Sequence, residues 1–155
     1  MTRPSAKGLP PIEIKGLRLA SPNRTSGQGH WRYAYAAAKS ARLQAYWATL
    51  AAVPAAWRLW LLEGEGLHVT ITRIAPGSLD DDNLAGSCKG LRDGIADAFM
   101  VDDRDPRVTW SYLQERSGRG VYGARVDVRP RTKTEEKTAL NRAAGTTRRT
   151  AACRR

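Results

Sequence analysis

Asp80, Asp81, Asp82, Asp93, Asp97, Asp102, Asp103 and Asp105 are eight of the 15 acidic residues in a chain of formal net charge +11. Grouped carboxylate oxygens are ligands for hard divalent cations, above all Mg2+, which takes a few carboxylates together with water and phosphate. Basic surface draws in phosphates, and a local acidic cluster repels those phosphates unless a divalent metal lies between them. The pattern points to metal-dependent phosphodiester chemistry, in which Mg2+ supplies a nucleophilic water and neutralises charge on the phosphate oxygens.

Two groups carry this reading. Asp80-Asp81-Asp82-Asn83 stands where a strand gives way to a helix, and in extended geometry Asp80 and Asp82 point to one side while Asp81 points to the other. Asp102-Asp103-Arg104-Asp105 follows that helix. Taken singly, an aspartate run before a helix does no more than cap it and favour its dipole, and the second group is an ordinary turn. Both groups flanking one amphipathic helix in a basic chain favour a metal site, with Asp102 or Asp103 joining Asp80 and Asp82. Other acidic motifs fit worse. A calcium loop counted from Asp80 would need Gly and Glu where Ala85 and Leu91 stand, and an Asp…Glu-x-Lys nuclease motif is absent. Lys89, Asp93 and Asp97 fall on one helix face, where ion pairing is the simpler reading for the two aspartates. Lys89, one to two turns from the carboxylates, is a candidate contact for a scissile phosphate. Asn83 either caps the helix or orients a ligand, and His68 in a strand is expected to be structural.

The elements that must hold these residues follow from periodicity. Residues 12–19 alternate as a first strand, and residues 31–53 carry Leu43, Tyr46, Trp47 and Leu50 at helical spacing up to Pro54. Residues 55–62 are apolar and fit either type. Residues 67–74 are rich in β-branched side chains and read as a strand. Leu84, Cys88, Leu91, Ile95 and Phe99 form one helical stripe, with Asp82 or Asn83 as N-cap. Residues 108–115 and 121–128 read as strands joined by a hairpin at Ser117-Gly118-Arg119-Gly120. The expected fold is an α/β (α+β) domain, a mixed β-sheet with two main helices in β-α-β-α-β-β order.

At 155 residues the chain is one domain, expected over residues 12–128 behind a flexible leader, residues 1–11. Residues 129–155 hold nine Lys or Arg against Glu135 and Glu136, so they carry 9 − 2 = +7 and leave 11 − 7 = +4 for the rest. Their lack of large apolar side chains predicts a disordered basic tail. Cys88, Cys153, His30 and His68 stand at spacings that make neither a disulfide framework nor a zinc site. Residues 43–62, the most hydrophobic region, are interrupted by Gln44, Thr49, Pro54 and Arg58, which argues against a membrane span. With no secretory signal at the N-terminus, a cytoplasmic setting is expected.

Leu79-Asp80-Asp81-Asp82-Asn83-Leu84, Lys89, Asp93-Gly94-Ile95 and Val101-Asp102-Asp103 resemble the RusA family of Holliday-junction resolvases, endodeoxyribonucleases common in bacteriophages and prophages. Ser21-Pro22-Asn23-Arg24 before a helix and the closing strands extend the likeness over residues 12–128. The resemblance implies a small homodimer that binds four-way DNA junctions and, with Mg2+, nicks two strands symmetrically in recombination, repair or phage DNA processing. It assigns Asp80, Asp82 and Asp103 as catalytic metal-binding carboxylates and matches Lys89 to the family lysine. The chain departs from the family spacing by extra residues between Asn83 and Lys89 and fewer between Asp93 and Asp102, which keeps Asp102 as the alternative to Asp103. Phosphate contacts are expected from Arg24, Arg32, Arg42, Asn83 and the basic tail. The rival expectations are a structure-selective DNA-binding protein that does not cut, and a metal-dependent nuclease acting on flaps or forks.

Overall fold

A computed structural model describes residues 8–19, 21, 30–63, 65–132 and 135. Strand β1 (Ile12–Lys15) buries Ile12 and Ile14 and exposes Glu13 and Lys15, as its alternation requires. It is shorter than the alternating stretch because Gly16, at φ 74°, turns the chain away and donates its N–H to the Tyr122 carbonyl at 2.9 Å. Helix α1 (His30–Ala52) ends before Pro54, which opens helix α2 (Ala55–Leu62). That apolar run is helical because Trp57, Trp60 and Leu61 fall on one face and enter the core, the two indoles meeting edge to face at 6.3 Å.

Strand β2 (Leu67–Ala75) leads to helices α3 (Asp81–Ser87) and α4 (Lys89–Phe99), then to strands β3 (Val108–Arg116) and β4 (Gly123–Pro130). The single helix expected over the apolar stripe is thus two. Leu84, Cys88, Leu91, Ile95 and Phe99 are all buried, and Cys88 still donates to the Leu84 carbonyl and accepts from the Arg92 N–H. The interruption lies between Gly86 and Gly90, where Ser87 Oγ also donates back to the Leu84 carbonyl at 2.8 Å, a local competitor of helical bonding. Burial pushes the Cys88 thiol up to about 11, so it stays protonated near neutral pH.

The fold is mixed α+β, with a four-stranded mixed sheet in the order β1-β4-β2-β3. β4 is antiparallel to both β1 and β2, whereas β2 and β3 are parallel, from Leu67 opposite Val108 to Ala75 opposite Arg116. The hairpin expected between β3 and β4 is therefore corrected: residues 117–122 carry the chain past the end of β2 to its other side. The distribution of apolar residues explains the exchange. β4 alternates Ala124, Val126 and Val128 into the core and suits an interior position, while β3 ends in exposed Leu113, Gln114, Glu115 and Arg116, tolerable at a sheet edge.

One face of the sheet shares its core with the helices, and the closest contact there is between α1 and α4. A Cβ on Gly90 would lie 2.8 Å from the Ala38 carbonyl, and one on Gly94 would run into the Arg42 carbonyl. Ala41 and Ala45 complete this interface of small residues. On the opposite face, Glu135 accepts from Arg129 Nη2 at 2.7 Å and from the Thr132 N–H at 2.8 Å, and its Oε1 lies 2.9 Å from His68 Nδ1. His68 Nε2 meets Ser111 Oγ at 2.9 Å, which accords with a structural role for this histidine. Arg131 is buried, its N–H donating to the Gly66 carbonyl. Residues 129–132 and 135, expected in the basic tail, thus join the fold, and residues 136–155 lie outside the described residues. No described helix is long and apolar enough to cross a membrane.

Gly94→Ala is expected to destabilise the protein by about 1–3 kcal/mol in urea unfolding, because overpacking against the α1 backbone outweighs the gain of up to about 1 kcal/mol in helix propensity. The Arg129 guanidinium beside Glu135 holds its carboxyl below the usual glutamate range, so its contribution is complete above the unfolded value near 4.5 and is lost as pH falls toward the depressed folded value. Glu135→Gln should cost about 1 kcal/mol at pH 7 by the same measurement. The gap to the parent chain should narrow steadily as pH drops below 4.5.

Candidate functional site

The turn after β2 is held from two directions. Arg73, pointing inward from β2 and only 8% exposed, donates from Nη1 to the Gly77 carbonyl at 2.7 Å and from Nε to the Leu19 carbonyl at 3.2 Å. Burial lowers its pKa, and among the described residues it has no carboxylate partner. Gln114 of β3 then pairs its side-chain amide with the Leu79 backbone, accepting from its N–H at 2.8 Å and donating to its carbonyl at 2.7 Å. This amide continues the sheet's hydrogen bonding by one side chain and delivers Asp80 to the start of α3.

Asp80, with φ −69° and ψ 165°, is the N-cap of α3. Its Oδ1 accepts from the Asn83 N–H and its Oδ2 from Asn83 Nδ2, both at 2.9 Å. The bonds from the Asn83 backbone and then its side chain hold the Asp80 carboxyl below the usual aspartate range. Asn83 Oδ1 in turn accepts from Ser21 Oγ at 3.2 Å. The expected cap, Asp82 or Asn83, is corrected to Asp80: three consecutive aspartates can all cap, and the Leu79 anchor selects the first. Asp82 lies inside the helix, so the two-residue alternation that would align it with Asp80 does not apply. Asp81 and Asp82 are exposed in the first turn, and among the described residues neither carboxylate has a hydrogen-bond or ion-pair partner.

The second group is engaged differently. Asp102 is exposed and its Oδ1 accepts from the Arg104 N–H at 2.8 Å. Asp103 Oδ2 accepts from Arg92 Nη2 at 2.6 Å, and its backbone carbonyl accepts from Trp110 Nε1 at 3.0 Å. Asp105 is clamped by Arg107, whose guanidinium also reaches the Leu61 carbonyl. On α4, Lys89 pairs with Asp93 at 2.9 Å one turn on, whereas Asp97 is held in a two-pronged pair by Arg42 of α1. Arg42, expected as a phosphate contact, thus has its guanidinium on a carboxylate, and Asn83 faces Asp80 and Ser21. Arg32 is exposed on α1, and Arg24 lies outside the described residues.

Asp80 and Asp82 therefore share one helix start, and Asp102 and Asp103 share one turn. The structure does not bring the two groups into a single cluster. Leu79 is anchored at Gln114 and Asp103 at Trp110, 114 − 110 = 4 positions apart on β3, which is about 13 Å of strand. The oxygens around a single Mg2+ lie at most about 4 Å apart. Among the described residues no group of three or more His, Cys, Asp and Glu side chains is arranged to hold a metal ion. Asp80 with Asp82, plus water and phosphate, fits the sparse carboxylate ligation usual for Mg2+. Asp103 stays held by Arg92 and Trp110 at the other end of this stretch of β3.

Sequence reasoning did not single out Gln114, Arg73 or Arg92. Gln114 and Leu79 are 35 residues apart, and nothing local marks either. Arg92 lies one helical turn from Lys89, and only the folding back of residues 100–103 makes it the nearer cation to Asp103. Gln114→Leu should raise amide exchange at Leu79 by about tenfold, the equivalent of one hydrogen bond, with far smaller changes in β2. No family model, curated protein or solved structure matches the chain.

Proposed function

We propose that the protein is a Mg2+-dependent endodeoxyribonuclease that resolves four-way DNA junctions by paired symmetric nicks. One observation carries this reading. Asp93, Asp97, Asp103, Asp105, Glu115, Asp127 and Glu135 each have a Lys or Arg partner, yet among the described residues Asp80, Asp81 and Asp82, like the isolated Glu63, Glu65 and Asp102, have none in a chain of net charge +11. Three adjacent carboxylates without a cation among the described residues, on a helix start fixed by Asn83, Gln114 and Arg73, suit an external divalent ion. When bound, that ion would supply Lewis acidity and an activated water.

The chain's own residues have separable tasks in this reading. Asp80 and Asp82 hold the ion, and Asn83 keeps Asp80 oriented and ionised. Lys89 and the exposed arginines contact the DNA backbone, with the basic residues beyond 135 adding affinity that falls with salt. A homodimer suits the near two-fold symmetry of a junction. Leu43 and Trp47, 50% and 62% exposed one turn apart on α1, support it as an apolar patch that a second copy would cover.

The Arg92–Asp103 pair favours a second reading, a junction-selective binder that does not cut, because it neutralises the third carboxylate. Cleavage of a synthetic mobile four-way junction, beside duplex and flap controls, in Mg2+ and in EDTA separates the two. The nuclease reading expects paired symmetric nicks that require Mg2+ and are abolished by Asp82→Asn. Tight junction binding without nicking, unchanged by that substitution, would leave the binder, and preferential cutting of the flap would make the substrate a flap.

A further inference from the structure

The groups that anchor residues 129–135 to the sheet also form a chain of another kind. On the sheet face turned away from the helices, His68 is paired with Arg129 of β4, and Ser111 of β3 stands opposite Thr70, the next residue of β2 on that face. The His68 imidazole lies between two side chains, with Nε2 2.9 Å from Ser111 Oγ and Nδ1 2.9 Å from Glu135 Oε1. Glu135 is itself fixed: Arg129 donates to its two oxygens at 2.7 and 3.0 Å, and Thr132 donates to Oε2 from its N–H and its hydroxyl. An ionised carboxylate only accepts, so the ring proton belongs on Nδ1 and the lone pair on Nε2. Ser111 is then the donor to Nε2. Arg129 Nη2 also lies 3.1 Å from Nδ1, but with the proton there its bond goes to Glu135.

We propose that Ser111, His68 and Glu135 form a second, nucleophilic site, which takes carboxylic esters. A hydroxyl bonded to a histidine that a carboxylate orients is the arrangement that activates a serine. Ser111 Oγ attacks the ester carbonyl carbon as its proton passes to His68 Nε2, and Glu135, a positioning residue, holds the imidazolium. Collapse of the tetrahedral adduct breaks the bond to the alcohol oxygen, which takes the proton from Nε2 and leaves an acyl-serine. Water attacks that ester by the same route, so the carboxylic acid departs and the proton returns to Ser111. Among the described residues β3 pairs with β2 alone, so backbone N–H groups at or beside Ser111 face the open edge, where they can donate to the carbonyl oxygen. The site shares no residue with the acidic groups of the nuclease reading.

The test treats the full chain with a fluorophosphonate, which phosphonylates an activated serine with loss of fluoride, and locates the adduct by peptide mass spectrometry. Hydrolysis of p-nitrophenyl acetate is followed beside it. The adduct is expected on Ser111, and Ser111→Ala should abolish both the adduct and the hydrolysis. Ser117→Ala, which removes a hydroxyl bonded to the Val121 carbonyl and not to a histidine, should change neither. His68→Ala should slow labelling on the order of 100-fold, the usual share of a general base, and added imidazole should restore part of it. Glu135→Gln should slow labelling about tenfold, with partial recovery in Glu135→Asp, which keeps the charge that orients the ring. Thermal melts accompany each variant, and His68→Gln must slow labelling as His68→Ala does if the latter does not fold. No adduct on Ser111, a labelling rate unmoved by loss of His68, or ester hydrolysis unmoved by Ser111→Ala would each overturn the second site and leave the nuclease reading where it stands.

Discussion

Because β2 and β3 run parallel, the chain between them must cross the sheet and re-enter at the end where β2 began. Asp80 follows the last residue of β2, and Asp103 precedes the first residue of β3, so the two acidic groups flank the crossover at opposite ends of the strand pair. An antiparallel return would have set them side by side. The separation is partly undone by residues 100–103. Met100 takes a left-handed conformation at φ 60° that ends α4, and Trp110 draws the Asp103 carbonyl back along β3. At that end Arg92 pairs with the Asp103 carboxylate, while the Asp80 group stays at the other.

The position of α4 depends in turn on small residues. Gly90 and Gly94 let α1 approach to backbone contact, and the same approach brings Arg42 onto Asp97. Lys89 and Asp93 pair along the helix itself. The carboxylates of α4 are consequently neutralised before any ligand arrives, which concentrates uncompensated negative charge at the start of α3. In a basic chain such a concentration costs stability through desolvation and mutual repulsion unless the helix dipole and caps offset it, and here Asn83 and the free N–H groups of α3 do so. The helix start is thus fixed through Asn83 and Gln114, while the Asp81 and Asp82 carboxylates stay without a partner among the described residues.

Much of the fold could be read from periodicity, because the forces that set it are local. The β-branched run of β2, the alternation in β1, the helical spacing of α1 and the apolar stripe from Leu84 to Phe99 each specify an element and its buried face. Residues 55–62 could not be typed, since an apolar run of that length carries both periods, and only the core contacts of Trp57, Trp60 and Leu61 decide for helix. The supposed hairpin shows the same limit. Ser117-Gly118-Arg119-Gly120 is a good turn, but whether its flanking strands pair is a competition with β2 that no local signal records. The acidic groups, the i, i+4 pair of Lys89 with Asp93 and the basic excess were legible for the same local reason. The partners of Arg42 and Asp103, the carboxylate of Asp97 and the guanidinium of Arg92, were not legible because they lie outside the local sequence of each.

By itself, then, the sequence determined most of the helical and strand segments, residues 55–62 and the break at Cys88 apart, the faces they bury, and that carboxylates gather at both ends of one amphipathic stretch. Those properties depend on neighbours within a few residues. The tertiary structure alone decided that β4 lies inside the sheet, that Asp80 rather than its neighbours caps α3, and that Arg92 stands over Asp103. Each of those rests on contacts between residues far apart in the chain, where pairing is settled by competition among all the available partners in three dimensions.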